Sequence, residues 1–181
     1  MSETGIVRRI DELGRVVIPK EMRKTLRIKE GDPLEIYANR EELIFKKYSP
    51  IATVEGYAKI VAEGISQLTE KTCVVTDTDK VVYVSSSRYK DIVGEHLSKA
   101  VENVLKNRKS VVNDKRNGSL LPLVYNDFTD AENQIIVPIV ANGDCLGSVV
   151  LFDKEKSQRL GTKDLQLVEL GATFLSKQLE T

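Results

Sequence analysis

Apolar and polar positions along this chain change rhythm near Tyr48-Ser49-Pro50-Ile51. Before that point the apolar runs are short. Gly5–Ile10 and Arg15–Ile18 read as strands around the turn Asp11-Glu12-Leu13-Gly14, where Gly14 suits a positive φ. Pro19 fits the first position of a helix, because its missing N–H costs nothing there. Met22 and Leu26, four apart, then face one core while Arg23 and Lys24 point outward. Leu34, Ile36 and Ala38 alternate as a strand, Asn39–Glu42 turns, and Leu43–Lys47 returns. Ile6, Val7 and Ile10 lie on both faces of the first strand, so that strand needs cover on two sides. About fifty residues bury little core, and domains of this size usually need a staple or a partner. With no disulfide or metal on offer, dimerisation is the remaining device.

After the break the elements lengthen. Val54, Tyr57, Ala58, Val61, Ile65 and Leu68 form a helical stripe. Thr72–Asp77 and Val81–Ser85 read as strands, His96–Lys106 as a helix, and Ser110–Asn113 as a short strand. Gln134–Ala141 and Cys145–Asp153 flank Asn142-Gly143, a strong hairpin signal. Thr162 is placed to cap a last helix with Asp164 in its first turn. That helix carries two stripes, Leu165, Val168, Ala172, Leu175 and Leu179, and beside them Leu167, Leu170 and Phe174. A helix on its own sheet needs one stripe. The first series therefore reads as a bundle seam that pairs with Val54, Val61, Ile65 and Leu68 across a two-fold axis. With a dimer in the first part, this closes a tetramer. The alternative is that both stripes are buried within one subunit. The organisation is thus residues 1–50, strands around one short helix, and residues 54–181, an α+β domain with an antiparallel sheet and flanking helices. Pro50 interrupts regular structure between them.

Composition narrows the function classes. The chain has 181 residues, 41% hydrophobic and 30% charged, which is ordinary globular composition. Its formal net charge is zero, so a nucleic-acid partner requires a local basic patch. Residues 1–50 hold 11 Lys+Arg against 9 Asp+Glu, leaving 16 against 18 in the remainder. Arg8, Arg9, Arg15, Lys20, Arg23, Lys24, Arg27 and Lys29 crowd into one short stretch. There is no run long enough to span a membrane and no signal-peptide core, so a cytoplasmic location is expected. Cys73 and Cys145 are too few for a zinc site and read as buried apolar side chains. No metal or cofactor is expected.

The stretch TGIVRRIDELGRVVIPKEMRKTLRIKEGDPLEIY, followed by ELIFKKYSP, resembles the AbrB-type swapped-hairpin DNA-binding domain over nearly all of residues 4–50. The two-part layout resembles sporulation regulators whose C-terminal half is a GAF domain. There the likeness rests on element order, the IIVPIVANGDCLGSVVLFDKE hairpin and the final helix. The resemblance implies a dimeric β-barrel in which two chains exchange hairpins, which supplies the second cover inferred above. It also implies DNA contacts at Arg8, Arg15, Arg23 and Lys24, with Arg9 a further candidate. An arginine is usual at position 24; lysine keeps the charge and loses the bidentate fork. Lys24 is read as a phosphate contact, and Arg15 and Arg23 as open to base edges. The implied target is double-stranded A·T-rich or deformable DNA, read by shape. The implied role is activation and repression of late sporulation genes.

GAF domains bind small molecules or mediate dimerisation, so an unidentified small-molecule ligand is also considered. Tyr83, Ser85, Ser86, Ser87 and Tyr125 are the candidates for lining a pocket. His96, the sole histidine, has no base or metal partner in the sequence and reads as a surface or capping residue. Without a nucleophile–base pair, metal site or phosphate loop, an enzyme is not expected. An antitoxin is the competing class, since some antitoxins share the swapped-hairpin domain. Those carry a short disordered tail, whereas this chain continues into a patterned domain.

Overall fold

In a computed structural model the described residues are 5–116, 118, 120–125, 131–154 and 159–180. The chain divides into two compact units, Met1–Tyr48 and Ser49–Thr181. In the first unit, α1 spans Lys20–Thr25, with Pro19 as its N-cap rather than its first residue. An antiparallel hairpin joins β1 (Leu34–Asn39) to β2 (Glu42–Lys47). The expected strands Gly5–Ile10 and Arg15–Ile18 are not laddered. They carry no regular secondary structure and lie on either side of a turn closed by Asp11 N–H to Arg15 O at 3.1 Å and Gly14 N–H to Asp11 O at 3.0 Å. Gly14 does adopt positive φ. No described residue of 5–48 is buried, and Val7, Val17, Leu26 and Ile36 are more than half exposed. Met22 and Leu26 therefore have no core to face within a single chain.

The second unit begins with regular structure where an interruption was expected. Ser49 caps α2 (Pro50–Thr53), its hydroxyl accepting the Ala52 N–H at 3.3 Å, and Pro50 sits in the first turn, where it fits. Then come α3 (Glu55–Thr69), β3 (Thr72–Thr76), β4 (Val81–Val84), a short 3₁₀ helix Ser87–Ile92, α4 (Lys99–Asn107), β5 (Val111–Asp114), β6 (Asn133–Ala141), β7 (Asp144–Asp153) and α5 (Thr162–Leu179). The five strands form one antiparallel sheet in the order β4-β3-β7-β6-β5. Asn142 and Gly143 both have positive φ, the conformation that a two-residue type I′ hairpin turn requires.

Strand periodicity sorts the core into two layers. Cys73, Val75, Ile135, Val137, Ile139, Val149 and Leu151 meet α2, α3 and α5 on one face. Val74, Ile136, Val150 and Phe152 meet the 3₁₀ helix, α4 and Leu123–Val124 on the other. Covering both faces explains why these strands read as unbroken apolar runs. α4 starts at Ser98, whose hydroxyl accepts the Val101 N–H at 3.2 Å, not at His96. α5 starts at Gly161, whose N–H is held by the Asp164 carboxylate at 2.8 Å, so Thr162 is not the cap.

The expected bundle seam is corrected. Val168, Ala172 and Leu175 pack against their own sheet, as does Ile65 of α3, while Leu165, Leu179 and Val61 are partly buried beside them. They are the subunit's own core and are not free for another chain. Val54 is half-buried and Leu68 is exposed. The open face holds other residues: Ile60 and Leu170 are 64% and 65% exposed, flanked by Tyr57 and Phe174 in edge-to-face contact at 5.8 Å.

Candidate nucleic-acid interface

Each candidate DNA contact is exposed. Arg8 and Arg9 lie just before the first turn. Arg15 leaves that turn, and Arg23 and Lys24 occupy the last turn of α1. Arg23 and Lys24 adjoin one another on α1; no described contact joins Arg8 or Arg9 to the other three. α1 ends locally: Ile28 N–H returns to Arg23 O at 2.8 Å while Arg27 takes a left-handed φ of 52°. The following turn is pinned by Asp32, which accepts the Lys29 N–H at 2.8 Å and pairs with Lys47 Nζ at 3.1 Å.

Arg15 is the most organised of the five. Asp11 Oδ1 accepts the N–H groups of Leu13 and Arg15 at 3.0 and 2.8 Å, and Oδ2 takes Arg15 Nε at 2.7 Å. The Arg15 side chain nevertheless stays 72% exposed. The Arg15 backbone N–H, then its side chain, hold the Asp11 carboxyl below the usual carboxylate range, with the Leu13 N–H adding to this.

The candidate ligand residues of the second unit have structural partners or open positions. Tyr83 OH donates to Glu63 Oε1 at 2.7 Å, and Ser85 Oγ accepts the Cys73 N–H at 3.0 Å. Ser86 caps and Ser87 opens the 3₁₀ helix, and Tyr125 is half exposed. Two small cavities, about 130 and 210 Å³, are lined by other residues apart from Ser86, which borders the smaller. His96 bridges Lys80 as a strand neighbour, with Nδ1 3.2 Å from Asp79 Oδ2. No group of metal-binding side chains occurs among the described residues.

Residues 53–180 match the family described as stage V sporulation protein T C-terminal, transcription factor. Over 181 residues the chain is 43% identical to stage V sporulation protein T of Bacillus subtilis (strain 168), covering 99% of each. The chain belongs to the stage V sporulation protein T family. Members are transcription factors by that description, and the first unit of this one is AbrB-like. It is 60% identical over 55 residues to the transition state regulatory protein AbrB of the same bacterium, covering 30% of this chain and 57% of that one. Residues 7–52 also match the family described as antidote-toxin recognition MazE, bacterial antitoxin. That match stops where the sporulation-family match begins, so the antitoxin reading gains nothing over the regulator.

The second unit has the GAF fold. It resembles the GAF-B domain of DevS from Mycobacterium smegmatis with TM-score 0.57 and 13% identity, over 73% of this chain and 93% of that one. A methyl-accepting chemotaxis protein gives TM-score 0.59 and 18% identity, over 70% and 88%. No described helix is long and apolar enough to cross a membrane.

Two features of this family member are not apparent from the sequence pattern. Asp11 reads there as a turn former only; an Asp four residues before an Arg across a Gly turn is the available signal for more. Ile60 falls outside the stripe that the apolar spacing picks out beside it.

Proposed function

We propose that the first unit pairs with the same unit of a second copy to complete one core, and that the dimer grips double-stranded DNA through Arg8, Arg9, Arg15, Arg23 and Lys24. The observation that carries this reading is a conjunction within residues 5–48. All five basic side chains are exposed, and not one apolar side chain is buried. A unit with no core of its own needs a second chain, and a second chain doubles the basic groups offered to DNA. Lys24 serves as a phosphate contact, while Arg15 and Arg23 bring planar forks that suit paired acceptors. The preferred target is A·T-rich or deformable duplex.

In the second unit the exposed Tyr57, Ile60, Leu170 and Phe174 face pairs with the same face of another copy. Two separate interfaces, one per unit, assemble a tetramer with linked DNA-binding heads. The protein acts in the cytoplasm as a regulator, not an enzyme. It activates and represses late sporulation genes.

The test is a binding titration at several salt concentrations with Arg15→Ala and Arg23→Ala. Each variant is expected to weaken binding and to flatten the slope of log K against log salt by about one for each phosphate no longer neutralised. Oligomeric state should not change, because exposed charges contribute little to folding. Unchanged binding in both variants removes these residues from the interface.

A further inference from the structure

We propose that Asp11 is a positioning residue for DNA recognition: it grips the Arg15 guanidinium by its Nε side and presents the opposite Nη1–Nη2 edge to the duplex. The inference rests on Arg15 contacting DNA. One carboxylate performs two tasks here. Oδ1 closes the turn by accepting the Leu13 and Arg15 N–H groups, and Oδ2 holds Nε at 2.7 Å. A guanidinium has five N–H donors in a fixed plane, so engaging Nε fixes the direction of the rest. The remaining edge suits two adjacent acceptors, either two oxygens of one phosphate or O6 and N7 of a guanine.

Ordering a long side chain only on binding weakens association by roughly two- to tenfold. Asp11 orders Arg15 in advance, and the side chain remains 72% exposed for its partner. The arrangement carries an electrostatic penalty, since it places an anion beside the groups meant to meet phosphate. That penalty separates positioning from a plain turn-forming role, because the two predict opposite signs. Asp11→Asn keeps an amide oxygen for the two backbone N–H groups, loses the anionic hold on Nε, and removes one negative charge. A residue that only shapes the turn would leave binding unchanged or tighter if the amide still holds the turn, and would weaken it equally with and without Arg15 if it does not.

The experiment is fluorescence anisotropy on the full chain, D11N, R15A and D11N/R15A at one salt concentration. It uses a duplex selected by the full chain from a random pool and a mixed-sequence duplex. D11N is expected to bind the selected duplex roughly two- to tenfold more weakly when Arg15 is present. In the R15A background it should bind no more weakly than R15A alone. Equal weakening on both duplexes identifies a phosphate pair, and weakening on the selected duplex alone identifies a base edge; both support the assignment. D11N binding as tightly as the parent or tighter overturns it, as does an equal weakening in both backgrounds, which would place the effect in the turn. If R15A binds like the parent, the Arg15 contact itself is wrong, and the positioning role falls with it.

Discussion

Replacing Ile60 and Leu170 with glutamate should split the proposed tetramer while leaving each subunit folded. Both side chains are about two-thirds exposed within the subunit, at 64% and 65%, so little of the subunit's own core depends on them. Full burial of Ile or Leu contributes about 1.5–3 kcal/mol, so covering the open two-thirds contributes about 1–2 kcal/mol each. About a two-fold axis each position appears twice. The double substitution thus removes roughly 4–8 kcal/mol of apolar burial, before any cost of desolvating four carboxylates. A loss of about 4 kcal/mol already weakens association by about a thousandfold. Sedimentation velocity at micromolar concentration should show a tetramer for the parent and a dimer for I60E/L170E. Val168→Glu is the contrast. Val168 is fully buried against its own sheet, so this change should unfold the second unit. A parent that sediments as a dimer, or an I60E/L170E variant that remains tetrameric, refutes the reasoning.

Gly147→Ala should destabilise the second unit by about 1–3 kcal/mol or more, because overpacking a well-ordered interior forces backbone shifts. A Cβ there would lie 2.0 Å from the Thr76 carbonyl oxygen, inside the sheet, and the urea midpoint should fall accordingly. An unchanged midpoint would show that β3 and β7 yield at no cost. Burial pushes the Cys73 thiol up to about 12, so at pH 8 the reactive thiolate is about one part in ten thousand. Iodoacetamide should therefore modify Cys145 first in the native protein and reach Cys73 only on unfolding. Rapid native labelling of Cys73 would contradict its placement.

The sequence and the structure agree on the central hairpin of the second unit's sheet. The Asn142-Gly143 turn and the runs of β6 and β7 are legible because a two-sided sheet leaves an unmistakable apolar stretch between turn residues. The strands expected at Gly5–Ile10 and Arg15–Ile18 have no ladder within the chain. Their exposed apolar content is what the proposed pairing with a second copy would cover, and periodicity cannot say whose strand lies beside them. The two stripes of α5 are both visible in the sequence, yet the one read as a bundle seam packs on its own sheet, and Leu170 and Phe174 of the other are left exposed while Leu167 joins the core. Spacing gives the angle between stripes but not which one meets the sheet. On α3 the small Ala58 and Ala62 face the sheet, since small residues let a helix approach closely, and the bulkier Tyr57 and Ile60 are left outside. The basic residues proposed to meet DNA are picked out in the sequence by type and register, and the structure places all five on the surface. The hold of Asp11 on Arg15 is not legible in the sequence, because it depends on the geometry of one turn.

The proposed function places DNA binding in the first unit and has linkage through the second strengthen it. Its most direct test is an anisotropy titration of an A·T-rich duplex with the full chain, a fragment ending at Ser49, and a fragment beginning there. The first fragment is expected to bind as a dimer, more weakly than the full chain by a factor that can reach about 10²–10⁴, and the second fragment is expected not to bind. A second fragment that binds DNA while the first, folded and dimeric, does not would contradict it.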